Sequence, residues 1–154
     1  MTTTERIADS YHSATLTEPW YGSSLAKILA QVSPDQAFKS LAPKANSIST
    51  TLQHLLLWNE RIRLASDANP MPKWEAEKDW SEPPIPWSDL LSRWSQSRNQ
   101  LEDRIRKFPL ADLAKIVPGR SYSYEALFQG SVEHVIYHSA QIAMTIGTLH
   151  RQAS

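Results

Sequence analysis

Apolar residues recur at intervals of three and four along most of the chain, and this spacing predicts helices rather than strands. The first helix is predicted over residues 3–15. A break follows around residues 18–20, where a proline stands, and helical spacing resumes with Leu25, Ile28 and Leu29. No stretch sustains the two-residue alternation of a half-buried strand. The pattern therefore predicts an all-α fold.

Three longer amphipathic segments follow. They run from Ile48 to about Ala68, from Pro86 to Phe108, and from about Ser123 to His150. Each has an apolar stripe along one face, as helices that pack against other helices do. A short helical turn is also predicted at Ser33-Pro34, where an N-cap serine precedes a proline at the first helical position. Four helical blocks in 154 residues predict one domain, residues 1–154, folded as an antiparallel four-helix bundle.

Residues 69–85 form an unusually long connection between two of these blocks. They contain four of the ten prolines of the chain, together with Trp74 and Trp80. Connections of this length are uncommon within compact domains unless they are functional or disordered. Large apolar rings gain nothing from being solvated, so we predict that this segment packs against the bundle.

The composition of the chain argues against several classes of function. Sixteen basic and sixteen acidic residues give no net charge, which argues against nucleic acid or an anionic membrane as a partner. No segment approaches the run of about 20 apolar residues that spans a bilayer, and the first residues lack the pattern of a signal peptide. A soluble, cytoplasmic protein is expected. The chain has no cysteine, so any thiol in its chemistry has to come from another molecule.

Two histidines in the last helical segment are spaced for a metal site. His134 and His138 are four residues apart, so both imidazoles project from one face and can reach the same divalent ion. His54, in an earlier amphipathic segment, is the candidate third ligand, although it lies at the edge of that helix's apolar stripe. Buried imidazoles need compensating interactions, which either a metal or nearby hydroxyl groups would provide. The spacing alone leaves both interpretations open.

Four longer stretches carry a family resemblance. They are EPWYGSSLAKIL near the start, SISTTLQHLLLWNERI around His54, KDWSEPP in the long connection, and SYEALFQGSVEHVIYHSAQIAM near the end. In this order, over nearly the whole chain, they make the protein resemble the DinB/YfiT-like superfamily, which is regarded as a superfamily of metalloenzymes. The resemblance implies an up-down-down-up four-helix bundle, often dimeric, with a divalent metal near one end. Its three ligands correspond to His54, His134 and His138.

The resemblance also implies a class of chemistry. Superfamily members with known activity include transferases and isomerases that use bacillithiol or mycothiol, and some relatives have been proposed to be metal-dependent hydrolases. We therefore expect a small-molecule substrate, a homodimer, and Zn²⁺, Ni²⁺, Fe²⁺, Mn²⁺ or Co²⁺ as the metal, with a low-molecular-weight thiol as cosubstrate. The alternative is a non-catalytic binding or stress-response module in which the metal is structural or missing.

Three neutral imidazoles would leave a coordination position open, so a metal-bound water or thiolate is the expected nucleophile. No carboxylate is expected in the site, because Glu60 and Glu133 point away from the histidines. Gln141, one turn beyond His138, is expected either to hydrogen-bond a metal-bound water or substrate or to be satisfied within the helix interface. Four aromatic residues are candidates for lining the approach to the metal, with ordinary core packing as the alternative: Trp20, Tyr21, Trp58 and Tyr137.

Overall fold

Helices account for all the regular secondary structure of the computed structural model, which describes residues 1–67, 69–73 and 75–153. Within these ranges no strand occurs, and a single isolated bridge joins Ile116 and Ser123. The all-α prediction is therefore confirmed. The elements are α1 (Thr3–Thr15), α2 (Leu25–Leu29), α3 (Pro34–Ala37), α4 (Ile48–Ala65), α5 (Ala76–Asp79), α6 (Trp87–Arg106), a 3₁₀ turn (Leu110–Asp112) and α7 (Tyr124–Ala153).

Local hydrogen bonds explain where the long helices begin. Helix α1 starts with a capping box, in which Thr2 Oγ1 accepts the Glu5 amide and the Glu5 carboxylate accepts the Thr2 amide. Helix α4 starts at an N-cap, where Ser47 Oγ accepts the Thr50 amide at 3.1 Å. The C-terminal ends differ slightly from prediction. Helix α4 ends at Ala65, whereas the predicted end, about Ala68, lies outside the described residues.

Helices α1, α6, α4 and α7 surround the core in that order. Helices α1 and α4, which follow each other as long helices in the sequence, therefore lie diagonally across the bundle, and so do α6 and α7. An ion pair joins Asp9 to Arg106 and a hydrogen bond joins His12 to Glu102, which shows that α1 and α6 run antiparallel. The core holds the largest fully buried side chains, among them Tyr11, Leu52, Leu55, Leu101, Ile105, Phe128 and Ile142.

Contacts of α4 fix the remaining directions. The Tyr124 hydroxyl, at the start of α7, donates to the carbonyl oxygen of Ala65, at the end of α4, so these helices are antiparallel. The side chain of Arg104 reaches Ser66, which places the C-terminal ends of α4 and α6 together. The connectivity is thus up-down-down-up, as the resemblance implied. Within the described residues, no helix combines the length and apolar character needed to cross a bilayer.

The long connection between α4 and α6 packs against the bundle. Met71, Asp79 and Pro83 are buried, and residues 76–79 form the short helix α5. The prediction of a packed segment is confirmed at these buried positions, while most of the other described residues of the connection are exposed. The predicted packing of Trp74 lies outside the described residues. Helix α5 itself was not predicted, because four residues are too few for a helical period to appear in the sequence.

Candidate metal centre

Helices α4 and α7 bring three histidines together. The Nε2 atom of His54 lies 2.9 Å from Nε2 of His134, which lies 3.0 Å from Nε2 of His138. All three ligand atoms are within 4.8 Å of one another. His54 and His138 are buried, whereas His134 is partly exposed. The antiparallel arrangement of α4 and α7 thus places residues far apart in sequence around one point.

The spacing of these nitrogens fits a metal ion. A Zn²⁺–nitrogen bond measures about 2.0–2.1 Å, so two such bonds at angles between about 90° and 109° separate their nitrogens by about 2.9–3.4 Å. Two of the three separations between these nitrogens, 2.9 and 3.0 Å, match the lower end of that range. One divalent ion would therefore bind with little movement of the imidazole rings.

The outer ring nitrogens of two ligands are already hydrogen-bonded. Nδ1 of His54 lies 2.7 Å from Oδ2 of Asp79, and Nδ1 of His138 lies 2.6 Å from Oε1 of Gln141. Both partners are oxygen acceptors, so each Nδ1 carries the hydrogen and each Nε2 presents a lone pair to the centre. Metal-ligating histidines are oriented in this way by a carboxylate or carbonyl behind them.

Electrostatics favours a cation between the rings. Burial lowers the pKa of His54 to about 3, with a further contribution from His138, and burial lowers the pKa of His134 to about 3 as well. Burial also lowers the pKa of His138, opposed by its hydrogen bond to Gln141. All three rings are therefore neutral at pH 7. Nε2 of a neutral His134 carries at most one hydrogen, so it can donate to only one of the two nitrogens it faces, Nε2 of His54 and Nε2 of His138. The other nitrogen–nitrogen contact is repulsive unless a cation lies between the rings.

Two residues of the long connection hold His54 from outside. Asp79 is 2% exposed and bonds Nδ1, while the indole of Trp80 stacks on the imidazole with ring centroids 3.9 Å apart. Burial raises the pKa of Asp79, opposed by the charge of Arg61 and a hydrogen bond from Trp58. The expectation that no carboxylate would lie at the site was wrong. Glu60 and Glu133 lie on the helices that carry the histidines, whereas Asp79 lies in the connection between α4 and α6.

The remaining candidates near the histidines have distinct places. Gln141 Oε1 accepts a hydrogen bond from Nδ1 of His138, whereas Nε2 of that ring faces His134. The ring of Trp58 lies 5.7 Å from that of His134, and the ring of Tyr137 lies 4.9 Å from that of His138. Tyr137 is 61% exposed, so it reaches the site from the surface.

Trp20 and Tyr21 have their aromatic contacts with each other, at 5.9 Å between centroids. Trp20 is 96% exposed. Tyr21 lines a cavity of about 430 Å³ between the α2 region and α7, together with Ile28 and Ser139, and none of the three histidines borders that cavity. The structure therefore does not bring this pair of residues to the candidate metal centre.

A second cavity, of about 400 Å³, adjoins His134. His134 and Trp58 border it, and Ile62, Tyr122 and Leu127 are among the side chains of its walls. Its lining is largely apolar. This cavity offers space for a small molecule beside His134.

The fold and the site together define a helical-bundle protein with a candidate three-histidine metal centre. A family model described as the DinB superfamily matches residues 22–142, which include all three histidines. The chain belongs to the DinB superfamily. Comparisons with curated proteins and with solved structures found no match.

Proposed function

We propose that this protein is an enzyme that uses one divalent transition metal ion, held by His54, His134 and His138, to act on a small molecule. The observation that carries the proposal is the convergence of three neutral imidazole nitrogens, two of them on rings already oriented by Asp79 and Gln141. Three protein ligands leave room for a further ligand, which is typical of catalytic rather than structural sites.

The reaction we propose is transfer of a low-molecular-weight thiol to an electrophile. A bound divalent ion would supply Lewis acidity, which lowers the pKa of a thiol held there. The chain has no cysteine, so the thiol is a cosubstrate. A sulfur–carbon bond forms while the leaving group departs with the electron pair of its own bond to carbon. The thiol proton passes to solvent.

The position of Asp79 favours thiol transfer over hydrolysis. Hydrolysis gains from a side chain that accepts a proton from the attacking water. Asp79 bonds Nδ1 of His54, whereas Nε2 of that ring faces the other two histidines, so the carboxylate is turned to the outer side of the ligand. A thiol has an ordinary pKa of about 8.5 and needs far less assistance than water to become a nucleophile.

The apolar cavity beside His134 supports a substrate with an apolar body. Burial of apolar surface against Trp58, Ile62 and Leu127 would hold that body by the hydrophobic effect, at about 25 cal/mol per Å². The electrophilic carbon would then lie close to the three histidines. An aromatic electrophile such as chlorodinitrobenzene is a suitable first probe.

Metal content is the first test. Protein purified without a metal-binding tag is expected to hold about one transition metal ion per chain. His54→Ala is expected to lose it, while His12→Ala, which alters a histidine paired with Glu102 on the other side of the bundle, is expected to retain it. Failure of the wild type to bind Zn²⁺, Ni²⁺, Mn²⁺, Fe²⁺ or Co²⁺ after reconstitution would contradict the proposal.

Thiol transfer is the second test. The metal-loaded wild type and His12→Ala are expected to accelerate displacement of chloride from chlorodinitrobenzene by a cellular thiol, and His54→Ala is not. Release of nitrophenol from an ester by the loaded protein, without acceleration with any of a panel of thiols and electrophiles, would instead identify hydrolysis. A loaded protein inactive in both assays would favour a binding module.

A further inference from the structure

Residues 75–86, which we call the strap, are hydrogen-bonded through Glu82 to the start of α4. The Glu82 carboxylate accepts hydrogen bonds from Ser49 Oγ at 2.7 Å, from Thr50 Oγ1 at 3.0 Å and from Ser47 Oγ at 3.1 Å. All three hydroxyl-bearing residues are buried. One carboxylate thus accepts hydrogen bonds from three buried hydroxyl groups, all within residues 47–50.

The location adds to the strength of this attachment. Ser47 is the N-cap of α4, and the N-terminus of a helix carries a partial positive charge that favours a carboxylate. Hydrogen bonds to an ionised acceptor are stronger than those between neutral groups. Replacing the carboxylate with an amide of the same shape would remove the charge while keeping one acceptor oxygen.

The same helix also holds the chain upstream of the strap. Arg61, near the other end of α4, donates to the carbonyl oxygen of Pro72 at 2.8 Å. His54 lies on α4 between these two attachments. The chain from Pro72 to Glu82 is thus fixed along α4 at both ends, and Asp79, between them in sequence, reaches His54.

We propose that Glu82 is a positioning residue for the metal centre: its bonds to α4 hold Asp79 against Nδ1 of His54 and thereby raise the affinity of the three histidines for metal. This inference rests on the proposed metal centre. Glu82 follows Asp79 by three positions, a span of at most about 11 Å when extended, so a fixed Glu82 leaves Asp79 little freedom.

A simpler role for Glu82 is to stabilise the start of α4 and nothing more. That role would lower the melting temperature of a Glu82 variant and leave its metal affinity unchanged. The positioning role requires that a Glu82 variant bind metal more weakly than the wild type. It also requires that this loss depend on the presence of Asp79. A double-mutant cycle separates the two, because residues acting through one interaction have non-additive effects.

The test is a competition titration of Zn²⁺ on the full chain. Asp79→Ala is expected to weaken binding by about 10- to 100-fold, as loss of a partner behind a ligating histidine does. Glu82→Gln is expected to weaken it by about 3- to 10-fold in the wild type and by less than about twofold in the Asp79→Ala background, since the two act through one interaction. Glu77→Gln, the same change at an exposed position of α5, is the matched control and is expected to bind like the wild type.

A metal-free readout accompanies the titration. Glu82→Gln, but not Glu77→Gln, is expected to speed amide hydrogen exchange over residues 76–80 while the helical circular dichroism stays unchanged. Equal Zn²⁺ affinity for Glu82→Gln and the wild type, or the same loss in both backgrounds, would overturn the positioning role alone. A wild type that binds no metal would overturn the metal centre as well.

Discussion

The two acceptors behind the ligands differ in charge. Asp79 presents a carboxylate to His54, whereas Gln141 presents a neutral amide oxygen to His138. A carboxylate makes the imidazole a stronger donor to metal, because it stabilises positive charge on the ring when the Nε2 lone pair is shared. Asp79 is buried and Gln141 exposed, so water competes only for the second bond.

Removing the amide of Gln141 is therefore expected to lower the affinity for metal less than neutralising the carboxylate of Asp79. Gln141→Leu is predicted to weaken Zn²⁺ binding by about threefold, and Asp79→Asn by about tenfold or more. Competition titration against a chromophoric chelator measures both. Gln129→Leu, an exposed position earlier on α7, is the control and should not change affinity. A larger loss for Gln141→Leu than for Asp79→Asn would contradict this ranking.

Helix α7 carries two ligands and runs for 30 residues without a proline. His134 and His138 stay on one face only while the helix keeps its regular pitch between them. Gly130 lies one turn before His134, in the helix interior, where glycine is less favourable than alanine by about 0.8–1 kcal/mol. A Cβ atom built at Gly130 has no neighbour within 4 Å, so space does not explain the glycine.

Alanine substitutions at two glycines are predicted to have opposite signs. Gly130→Ala should stabilise the protein by up to about 1 kcal/mol, which raises the melting temperature of a chain of this size by about 2–4 °C. Gly119 has φ of +75°, in the left-handed region, so Gly119→Ala should destabilise by about 1 kcal/mol despite open space around its Cβ. Thermal unfolding measures both. Destabilisation by Gly130→Ala would contradict the prediction from helix propensity.

The end of α4 depends on a bond from α7. The Tyr124 hydroxyl is buried and donates to the Ala65 carbonyl at 3.1 Å, which satisfies one of the acceptors left open at a helix C-terminus. Tyr124→Phe is expected to cost about 1 kcal/mol of stability. Tyr137→Phe removes the same atom from an exposed ring and should be neutral. Denaturant unfolding of the two variants makes the comparison, and equal stabilities would refute the capping role.

The bundle has an apolar core independent of the histidines. Five of its side chains are fully buried in one apolar cluster that does not include the histidines: Leu52, Leu55, Leu101, Phe128 and Ile142. The metal-free site, by contrast, contains facing lone pairs that only a cation relieves. The fold should therefore persist without metal, and bound metal should add to its stability by mass action.

Metal is predicted to raise the melting temperature of the wild type and not that of His134→Ala. At a free metal concentration 100 times Kd, binding adds about 2.7 kcal/mol, which corresponds to several degrees. Circular dichroism should show the same helical content for the metal-free wild type and for the variant. Loss of helical signal from either would mean that the ion is needed for folding.

Much of this architecture follows from the spacing of apolar residues. Helices α1, α4, α6 and α7 each have a strong helical period, and their predicted bounds agree with the structure to within a few residues. The candidate ligands were identifiable because His134 and His138 share a helical face, while His54 lies in an earlier amphipathic segment and is also implied by the family resemblance. The spacing of apolar residues is a local property of the sequence, so it predicts the helices and the faces that they bury.

The outer residues of the site could not be predicted in this way. Asp79 and Trp80 belong to a connection that contacts α4 through the Glu82 carboxylate and through the hydrogen bond from Arg61 to the Pro72 carbonyl oxygen. Those contacts join residues distant in sequence, and no periodic pattern records them. The stretch KDWSEPP contains three of these residues, yet its letters alone do not indicate which helix it covers.

The order of the helices around the core has a consequence for biosynthesis. A ribosome makes the chain from α1 towards α7, and α1 packs mainly on α6 and α7, the last two long helices to emerge. His54 is likewise made 80 residues before its first partner ligand. A nascent chain that ends before Tyr124 holds one of the three histidines. The proposed metal centre can therefore be completed only after the ribosome has translated α7.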